Sequence, residues 1–250
     1  MWIHGRNPVL EALRLGQVRR LRIADGVKPA AVAEHVREAR AAGVDVDVTP
    51  RIELDRALGT TRHQGVAAEV PEPSFASIED AFALARNREE RPLLILLDQV
   101  QDPRNFGAII RSAEALGAHG VVTEARRAAP LSPVAVKAAA GAASHLPLVQ
   151  VPNLPNLIRD LKGRGVWVYG ADGEAPSTPA EIDWDRDVAL VIGSEGSGLR
   201  RLVRDLCDDL VRIDLRGRIR SLNASVAAGI LIHAVLDARD RGRGPKGRTP

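Results

Sequence analysis

The stretch LLILLDQVQDPRNFGAIIRSAEALGAHGVVT, residues 93–123, indicates how this chain folds. It opens with an unbroken apolar run, and such runs are typical of strands that are buried on both faces of a parallel sheet. The pair Asp102–Pro103 marks a helix start, because aspartate caps helix N-termini and proline suits the first helical position. The predicted helix ends at Gly117, and a second apolar strand follows at 120–123. This strand–helix–strand order predicts an α/β fold with a parallel sheet.

The same alternation of apolar strands and helices continues from Pro92 to about Arg239. Glycines and prolines separate the elements, as expected where the connections turn sharply. We therefore predict one C-terminal α/β domain over residues 92–239, with helices on both faces of its sheet. The further predicted strands are residues 146–151, 166–170, 188–193 and 210–215, and the further predicted helices are residues 133–143, 156–165, 199–208 and 221–239.

Residues 1–70 predict a second, smaller α/β domain. Gly43 closes its predicted helix, and one of its strands alternates in the way that is typical of a half-exposed strand. Residues 71–91 combine a proline-rich start, a short helical pattern and a charged end, so we predict a linker between the two domains. The predicted elements of the small domain are a helix at 29–43 and strands at 18–25, 44–48 and 65–70.

The composition excludes several classes of protein. The chain has 250 residues, of which 45% are hydrophobic, which is enough to build a substantial core. Its single cysteine, Cys207, excludes an internal disulfide and offers no metal cluster. No apolar run approaches the ~20 residues that span a bilayer, and the N-terminus lacks the layout of a signal peptide. We expect a cytoplasmic protein without membrane or metal partners.

The positive charge of the chain is concentrated at its C-terminus. The chain has 35 Lys and Arg against 32 Asp and Glu, a net charge of +3. Its last twelve residues carry five basic side chains and one acidic, so the other 238 residues sum to −1. We expect a basic flexible tail at residues 240–250, which is either a solvated terminus or an RNA-binding arm. The rest of the chain would need local basic clusters to bind nucleic acid.

Three predicted loops at strand ends are unusually polar or rich in glycine. In the first, Asn105 lies in the first turn of the predicted helix that starts at Pro103. Arg111 follows Gly107 by four residues, so the two share a helix face and the glycine should leave open space beside the guanidinium. Taken alone, this pattern favours a surface arginine and a helix-packing glycine over a functional site.

The second loop, LVIGSEGSGLRRL at residues 190–202, places Gly193, Gly196 and Gly198 after a strand. Glycine-rich loops at strand ends can expose backbone N–H groups to a ligand. The spacing matches neither the P-loop nor the dinucleotide fingerprint, and Glu195 would repel a phosphate. The loop therefore suits a neutral or cationic ligand.

The third stretch, IDLRGRIRSLNASVAAGIL at residues 213–231, leads into the last predicted helix. Ser221 has the character of an N-cap, but a cap does not account for Asn223 as well. We expect both side chains at the mouth of a pocket, because ligands of parallel sheets bind where strands end. The arginines ahead of them could meet an anionic polymer, and they are Arg216, Arg218 and Arg220.

These three segments resemble the signature motifs of a known family. NFGAIIRSAEALG (105–117), LVIGSEGSGL (190–199) and SLNASVAAGI (221–230) look like those of the SpoU/TrmH-type RNA 2′-O-ribose methyltransferases of the SPOUT superfamily, in the same order. At the N-terminus, IHGRNPVLEAL and HQGVAAEV resemble the start and end of an L30e-like substrate-binding domain. KAAAGAASHLPLVQVPNL (137–154) is similar to the RlmB-type guanosine methyltransferases of large-subunit ribosomal RNA.

The resemblance implies a fold, a cofactor and partners. It implies a SPOUT parallel-sheet domain whose C-terminal segment forms a deep trefoil knot, although chain knots are otherwise rare. It also implies S-adenosylmethionine as the methyl donor and a homodimer with the active site near the subunit interface. The implied substrate is a ribose 2′-hydroxyl of ribosomal RNA rather than transfer RNA.

The resemblance also assigns roles to individual residues. Guanidinium groups stay protonated in proteins, so the arginine either needs help to act as a base or stabilises a developing alkoxide. Two other classes of protein stay open on the residues alone: an RNA-binding protein that has kept the fold, and a nucleotide-dependent enzyme on a doubly wound sheet. The implied catalytic residues are Arg111, Asn105, Glu195, Ser221 and Asn223, and the implied donor-binding residues are Gly193, Ile213 and Leu222.

Overall fold

A computed structural model describes residues 1–71, 75–219 and 221–243 of the chain. It contains two sheets, each with its own hydrophobic core. The described residues thus form a smaller N-terminal and a larger C-terminal α/β unit.

The N-terminal unit is built on a four-stranded mixed sheet of order β1–β4–β2–β3. Strand β2 pairs with β3 in parallel and with β4 antiparallel. Leu21 and Val9 are fully buried in its core, where β2 meets the first helix. Its strands are β1 (Trp2–His4), β2 (Arg20–Ala24), β3 (Asp45–Thr49) and β4 (Val66–Glu69), and its helices are α1 (Arg6–Arg14), α2 (Ala33–Ala41) and α3 (Arg51–Leu58).

The C-terminal unit is built on a six-stranded sheet of order β10–β8–β9–β5–β6–β7, in which every pair of neighbours is parallel. The strands are β5 (Leu93–Asp98), β6 (Gly120–Glu124), β7 (Leu148–Val151), β8 (Trp167–Ala171), β9 (Val188–Gly193) and β10 (Asp209–Val211). The helices are α4 (Ile78–Asn87), α5 (Pro103–Leu116), α6 (Pro133–Ala139), α7 (Leu154–Gly163), α8 (Arg201–Leu206) and α9 (Ala224–Arg243). The parallel sheet predicted from the apolar strands is confirmed.

Strand β5 shows why its sequence is apolar throughout. Leu93, Ile95 and Leu97 point into the core beneath α5, α6 and α9. Leu94 and Leu96 point into a second core beneath α4, α7 and α8. Because both faces of this central strand are covered, neither set of side chains can be polar. The domain therefore has three layers, helices–sheet–helices.

The predicted linker is shorter than residues 71–91. Helix α4 lies within this range, and its Ala81 is fully buried in the same core as Leu94. Ser77 caps the helix, with Asp80 bonding back to the Ser77 backbone N–H. The short helical pattern is thus real, but the helix belongs to the C-terminal layers because its apolar face packs on the sheet.

The last helix begins and ends later than predicted. It runs over Ala224–Arg243, and Ser221 is not its N-cap. The cap is Asn223, whose Oδ1 accepts bonds from the backbone N–H groups of Ser225 (2.9 Å) and Val226 (3.4 Å). The predicted tail is therefore helical as far as residue 243, and residues 244–250 lie outside the described residues.

Arg239 belongs to the core, not to a basic RNA-binding arm. Its side chain is 5% exposed, and its guanidinium donates to the carbonyls of Trp184, Arg91, Pro92 and Arg186. A group that is enclosed in this way cannot contact phosphate. This arginine ties α9 to the segments that enter β5 and β9.

The two units contact each other through α6 and the turn after it. Val136 packs against the N-terminal core, and Lys137 Nζ lies 3.5 Å from His4 Nδ1. Ser144 Oγ donates to Gln17 Oε1 at 2.8 Å. Helix α6 also packs against α5, the helix that carries Asn105. The contact between the two units therefore lies one helix away from Asn105.

Candidate active site

The three motifs meet in one hydrogen-bonded cluster. Asn105 lies in the first turn of α5, Glu195 in the loop after β9, and Asn223 directly before α9. Asn105 Nδ2 donates to Glu195 Oε1 at 2.8 Å. Asn223 Nδ2 donates to Glu195 Oε1 at 2.5 Å and to Asn105 Oδ1 at 3.0 Å. The fold thus brings together side chains that lie 90 and 118 residues apart in the chain.

The cluster fixes the orientation of every amide in it. The Oδ1 atom of Asn223 caps α9 and also accepts from Ser225 Oγ at 2.6 Å, so only its Nδ2 can face Glu195. Both amide donors then converge on one oxygen, Glu195 Oε1. The other oxygen, Oε2, makes no hydrogen bond to the residues that the structure describes. The cluster therefore presents one carboxylate oxygen to a ligand.

The glycine loop doubles back on the end of β9. Ser194 and Gly198 exchange two backbone hydrogen bonds, of 3.1 and 3.0 Å. Gly196 and Gly198 have φ of +86° and +64°, which side chains rarely tolerate. A Cβ on Gly193 would overlap the Gly198 backbone. Because the turn is this tight, Gly193 cannot be replaced without opening the loop.

A cavity of about 660 Å³ lies at the ends of β8, β9 and β10. Such a volume is typical of cofactor sites. It combines apolar walls with carboxylates, and the one cation among the described residues that line it, Arg204, is paired with Asp172 at 3.1 Å. The sequence-predicted residues that line it are Gly193, Glu195, Ile213, Ser221, Leu222 and Asn223.

This lining fits S-adenosylmethionine. Glu174 and Glu195 carry no ion pair to other described residues, so the described lining has excess negative charge. An excess of carboxylates disfavours a phosphate and favours a cationic sulfonium. Ser221 faces this cavity but makes no hydrogen bond to the described part of the chain.

A second cavity of about 310 Å³ adjoins the first. Gln99, Gln101 and Asp102 from the β5–α5 loop line it, together with Asn105. Glu195 lines both cavities, as do Ser194, Ser197 and Ala224. The Asn105–Glu195–Asn223 cluster therefore stands between two cavities, either of which can hold a small ligand.

Arg111 is the one predicted catalytic residue that lies apart. It is exposed on α5, lines neither cavity and makes no ion pair within the described residues. The open space predicted beside Gly107 is wrong, because a Cβ there would overlap the Ala135 carbonyl and Ala138 of α6. Gly107 is thus a helix-packing residue, while Arg111 faces outward.

Arg216 and Arg218, ahead of Asn223, lie outside the cluster as well. Arg216 and Arg218 are exposed, as a role in binding phosphate would require, and Arg220 lies outside the described residues. A separate ionic group of Asp98, Glu124 and Arg200 was not predicted. The sequence does contain a signal for this group, because each of the buried strands β5 and β6 ends with an acidic residue.

Comparison with known proteins identifies the family. The model of the SpoU rRNA methylase family matches residues 92–233, and that of the RNA 2′-O ribose methyltransferase substrate-binding domain matches residues 2–76. The chain belongs to the SpoU/TrmH family of RNA 2′-O-methyltransferases. It is an S-adenosylmethionine-dependent RNA 2′-O-methyltransferase of this family.

Individual relatives cover nearly the whole chain. A Bacillus subtilis protein that carries the name of a TrmH-family tRNA/rRNA methyltransferase is 38% identical over 96% of both chains. The SpoU methyltransferase AviRb of Streptomyces viridochromogenes, solved with AdoMet, is 27% identical, with a TM-score of 0.75 over 96% of this chain and 90% of its own. An AdoMet-bound rRNA methyltransferase of Sinorhizobium meliloti is 25% identical, with a TM-score of 0.73 over 94% and 85%.

Within residues 1–71, 75–219 and 221–243, no group of His, Cys, Asp and Glu could hold a metal ion. In the same ranges, every helix is too short or too polar to cross a membrane.

Proposed function

We propose that this protein methylates the ribose 2′-hydroxyl of a guanosine in large-subunit ribosomal RNA, in the cytoplasm. The single observation that carries the reaction type is the position of Glu195, which is held by two amides and shared by two adjoining cavities. The similarity of residues 137–154 to RlmB-type enzymes favours ribosomal RNA and guanosine. The names of the relatives allow transfer RNA as well.

In this proposal the larger cavity holds the donor and the smaller one admits the target nucleoside. S-adenosylmethionine, when bound, supplies a methyl group that is activated by a sulfonium. Glu195 Oε2 accepts a hydrogen bond from the 2′-hydroxyl and so aims its oxygen toward the donor cavity. The same oxygen takes up the hydroxyl proton as the bond from the 2′-oxygen to the methyl carbon forms and the bond from that carbon to sulfur breaks. Asn105 and Asn223 keep the carboxylate still, and such positioning can supply a large part of the rate enhancement.

Arg111 acts as a cation in this scheme. A guanidinium stays protonated in proteins, so it stabilises negative charge that develops on the 2′-oxygen instead of removing the proton. Within one copy of the chain, Arg111 lines neither cavity, and no hydrogen bond joins it to the cluster among the described residues. A second copy of the chain could bring an Arg111 to the cluster.

We therefore propose a homodimer in which Arg111 serves the partner's cluster. An apolar patch surrounds the start of α9, and its side chains are 37–77% exposed, which favours burial against another protein. Helix α5 packs against α9, with Gly229 over Ser112, so Arg111 lies beside this patch. The patch consists of Ile219, Leu222, Val226 and Ile230.

The trefoil knot is also part of the proposal. Arg212 donates to the carbonyl of Ser177 (2.9 Å) through its backbone and to that of Ala175 (2.8 Å) through its guanidinium, so the chain after β10 is held against the 172–177 loop. Further along, Asn223 lies against Asn105 and Glu195, in the first turn of α5 and in the glycine loop. Contacts of the C-terminal segment with these earlier parts of the chain are what threading would produce.

The RNA class is tested by methyl transfer from labelled S-adenosylmethionine to separated RNA fractions. The fractions are large-subunit RNA, small-subunit RNA and transfer RNA, each taken from cells that lack this enzyme. We expect label in the large-subunit fraction. Label in transfer RNA alone would replace the proposed substrate, and no label in any fraction, despite donor binding, would favour an RNA-binding protein without catalysis.

A further inference from the structure

A buried ionic group lies beneath the glycine loop, apart from the Asn105–Glu195–Asn223 cluster. Asp98 is fully buried at the end of β5, and Glu124 is 6% exposed at the end of β6. Arg200, directly before α8, donates from Nε to Asp98 Oδ1 (2.5 Å) and from Nη2 to Glu124 Oε2 (2.8 Å). The guanidinium therefore joins the carboxyl ends of two neighbouring strands.

The same group fixes the far end of the glycine loop. The backbone N–H of Arg200 donates to Asp98 Oδ2 at 2.7 Å, so this one carboxylate holds both the main chain and the side chain. Leu199, one residue earlier, packs so closely on β8 that a Cβ at Gly170 would overlap it. Gly198, two residues earlier, presses on Gly193. The loop is thus tied at both ends, to β9 and to Asp98.

The geometry of the group requires an arginine. A guanidinium can serve two carboxylates through separate N–H groups of one rigid plane, whereas an ammonium is a point charge on a flexible stem. The Glu124 carboxylate also accepts a hydrogen bond from the Leu154 backbone N–H at 3.0 Å. This bond fixes the carboxylate, so it cannot rotate toward a shorter side chain that replaces Arg200. Loss of the guanidinium would leave two buried carboxylates without their cation, which is costly.

We propose that Arg200, together with Asp98, is a positioning residue for the methyl donor. Arg200 does not line the donor cavity, but residues 193–199 form one of its walls. By holding Leu199 and Gly198 in place, Arg200 keeps that wall in the shape that receives the donor. This role is independent of which nucleotide is methylated.

The test compares Arg200→Lys and Asp98→Asn with a neighbouring control, Arg201→Lys. Arg201 is 95% exposed and lies 3.8 Å from Asp205, so its substitution should be silent. Binding of S-adenosylhomocysteine is measured by calorimetry at a temperature where melting curves show every variant to be folded. RNA affinity is measured on the same samples. We expect both test variants to bind S-adenosylhomocysteine at least ten-fold more weakly, with RNA affinity within two-fold of the unmodified protein.

Donor affinity that stays unchanged in folded Arg200→Lys would overturn the proposal, even if its melting temperature fell. Equal losses of donor and RNA affinity would overturn it too, because they would indicate general distortion. If Arg200→Lys does not fold, donor binding by Asp98→Asn tests the proposal instead. Asparagine keeps an acceptor for the Arg200 backbone but removes the charge that holds the guanidinium, and unchanged donor binding in that variant would contradict the positioning role.

Discussion

Asn223 has two functions that a single substitution can separate. Its Oδ1 caps α9, and its Nδ2 holds Glu195 and Asn105. Asn223→Asp keeps the cap but replaces the donor with an oxygen, which places a second negative charge against Glu195. We expect the rate of methyl transfer to fall at least a hundred-fold, with a small change in melting temperature. Single-turnover rates within two-fold of the unmodified enzyme would contradict the proposed role of the cluster.

Arg111 should affect the reaction without affecting the donor. It lines neither cavity, so Arg111→Ala should leave the dissociation constant of S-adenosylhomocysteine nearly unchanged while removing most methyl transfer. Donor binding is measured by calorimetry and turnover with labelled donor. The control is Arg159→Ala, on α7 at the opposite face of the sheet. A loss of donor affinity equal to the loss of rate would show that Arg111 has a different role.

At the scale of elements, Arg239 holds the last helix in place. Its guanidinium donates to four backbone carbonyls, of which those of Trp184 and Pro92 also accept a backbone N–H. Arg239→Met keeps the apolar stem but takes from the carbonyls of Arg91 and Arg186 the donor that the structure gives them, at a cost of about 3 kcal/mol in the free energy of unfolding. Urea denaturation measures this cost. Arg241→Met, which removes an exposed ion pair with Asp237, should cost little and serves as the control.

A buried histidine should make stability depend on pH. His119 Nδ1 accepts from the Leu93 backbone N–H at 3.0 Å, at the start of β5, so it must be unprotonated there. Burial lowers the pKa of His119 and outweighs the opposing effect of Glu90. The unfolded chain then binds the proton more readily, so its contribution to stability is complete above about pH 6.5 and is lost as the pH falls toward the lowered pKa.

The measurement is the free energy of unfolding at pH 7.5, 6.5 and 5.5. We expect it to decrease with falling pH, and to decrease less in His119→Gln. His145→Gln, at an exposed position, is the matched control and should keep the full dependence. Identical pH dependence in His119→Gln and the unmodified protein would refute this assignment.

Local signals predicted the elements better than the contacts between them. Asp102 caps α5 as expected, through its 2.8 Å bond from Arg104 N, because a cap is decided within one turn. The prediction of Ser221 as the N-cap of α9 is wrong. Ser221 and Asn223 are both residue types that cap helices well, and only the packing of α9 determines which of them is the cap. The Arg200–Asp98 pair spans 102 residues, and no local pattern states which strand ends will meet.

The same limit explains the other differences. Gly107 was assigned open space because sequence spacing gives the face of a helix but not what packs on it. Arg239 counts among the basic residues of the C-terminus because composition cannot distinguish a buried guanidinium from an exposed one. The resemblance to the family, rather than periodicity, located Glu195, Asn105 and Asn223, and the fold then joined them.

At the scale of the whole molecule, the proposed dimer predicts complementation between inactive variants. In a mixed dimer of Arg111→Ala and Asn223→Asp, one of the two sites would combine an intact Arg111 with an intact cluster. Co-refolding equal amounts should therefore restore about a quarter of the unmodified activity, if the subunits pair at random. No activity above that of the separate variants would mean that each chain acts with its own Arg111.

Methylation of a ribose, not of a base, by the site around Glu195 can be measured by mass spectrometry of nucleosides from large-subunit RNA. The RNA is treated with the unmodified enzyme or with Glu195→Gln. We expect 2′-O-methylguanosine at one position with the unmodified enzyme and its near absence with the variant. A methyl group on the base, or equal 2′-O-methylation by the variant, would contradict it.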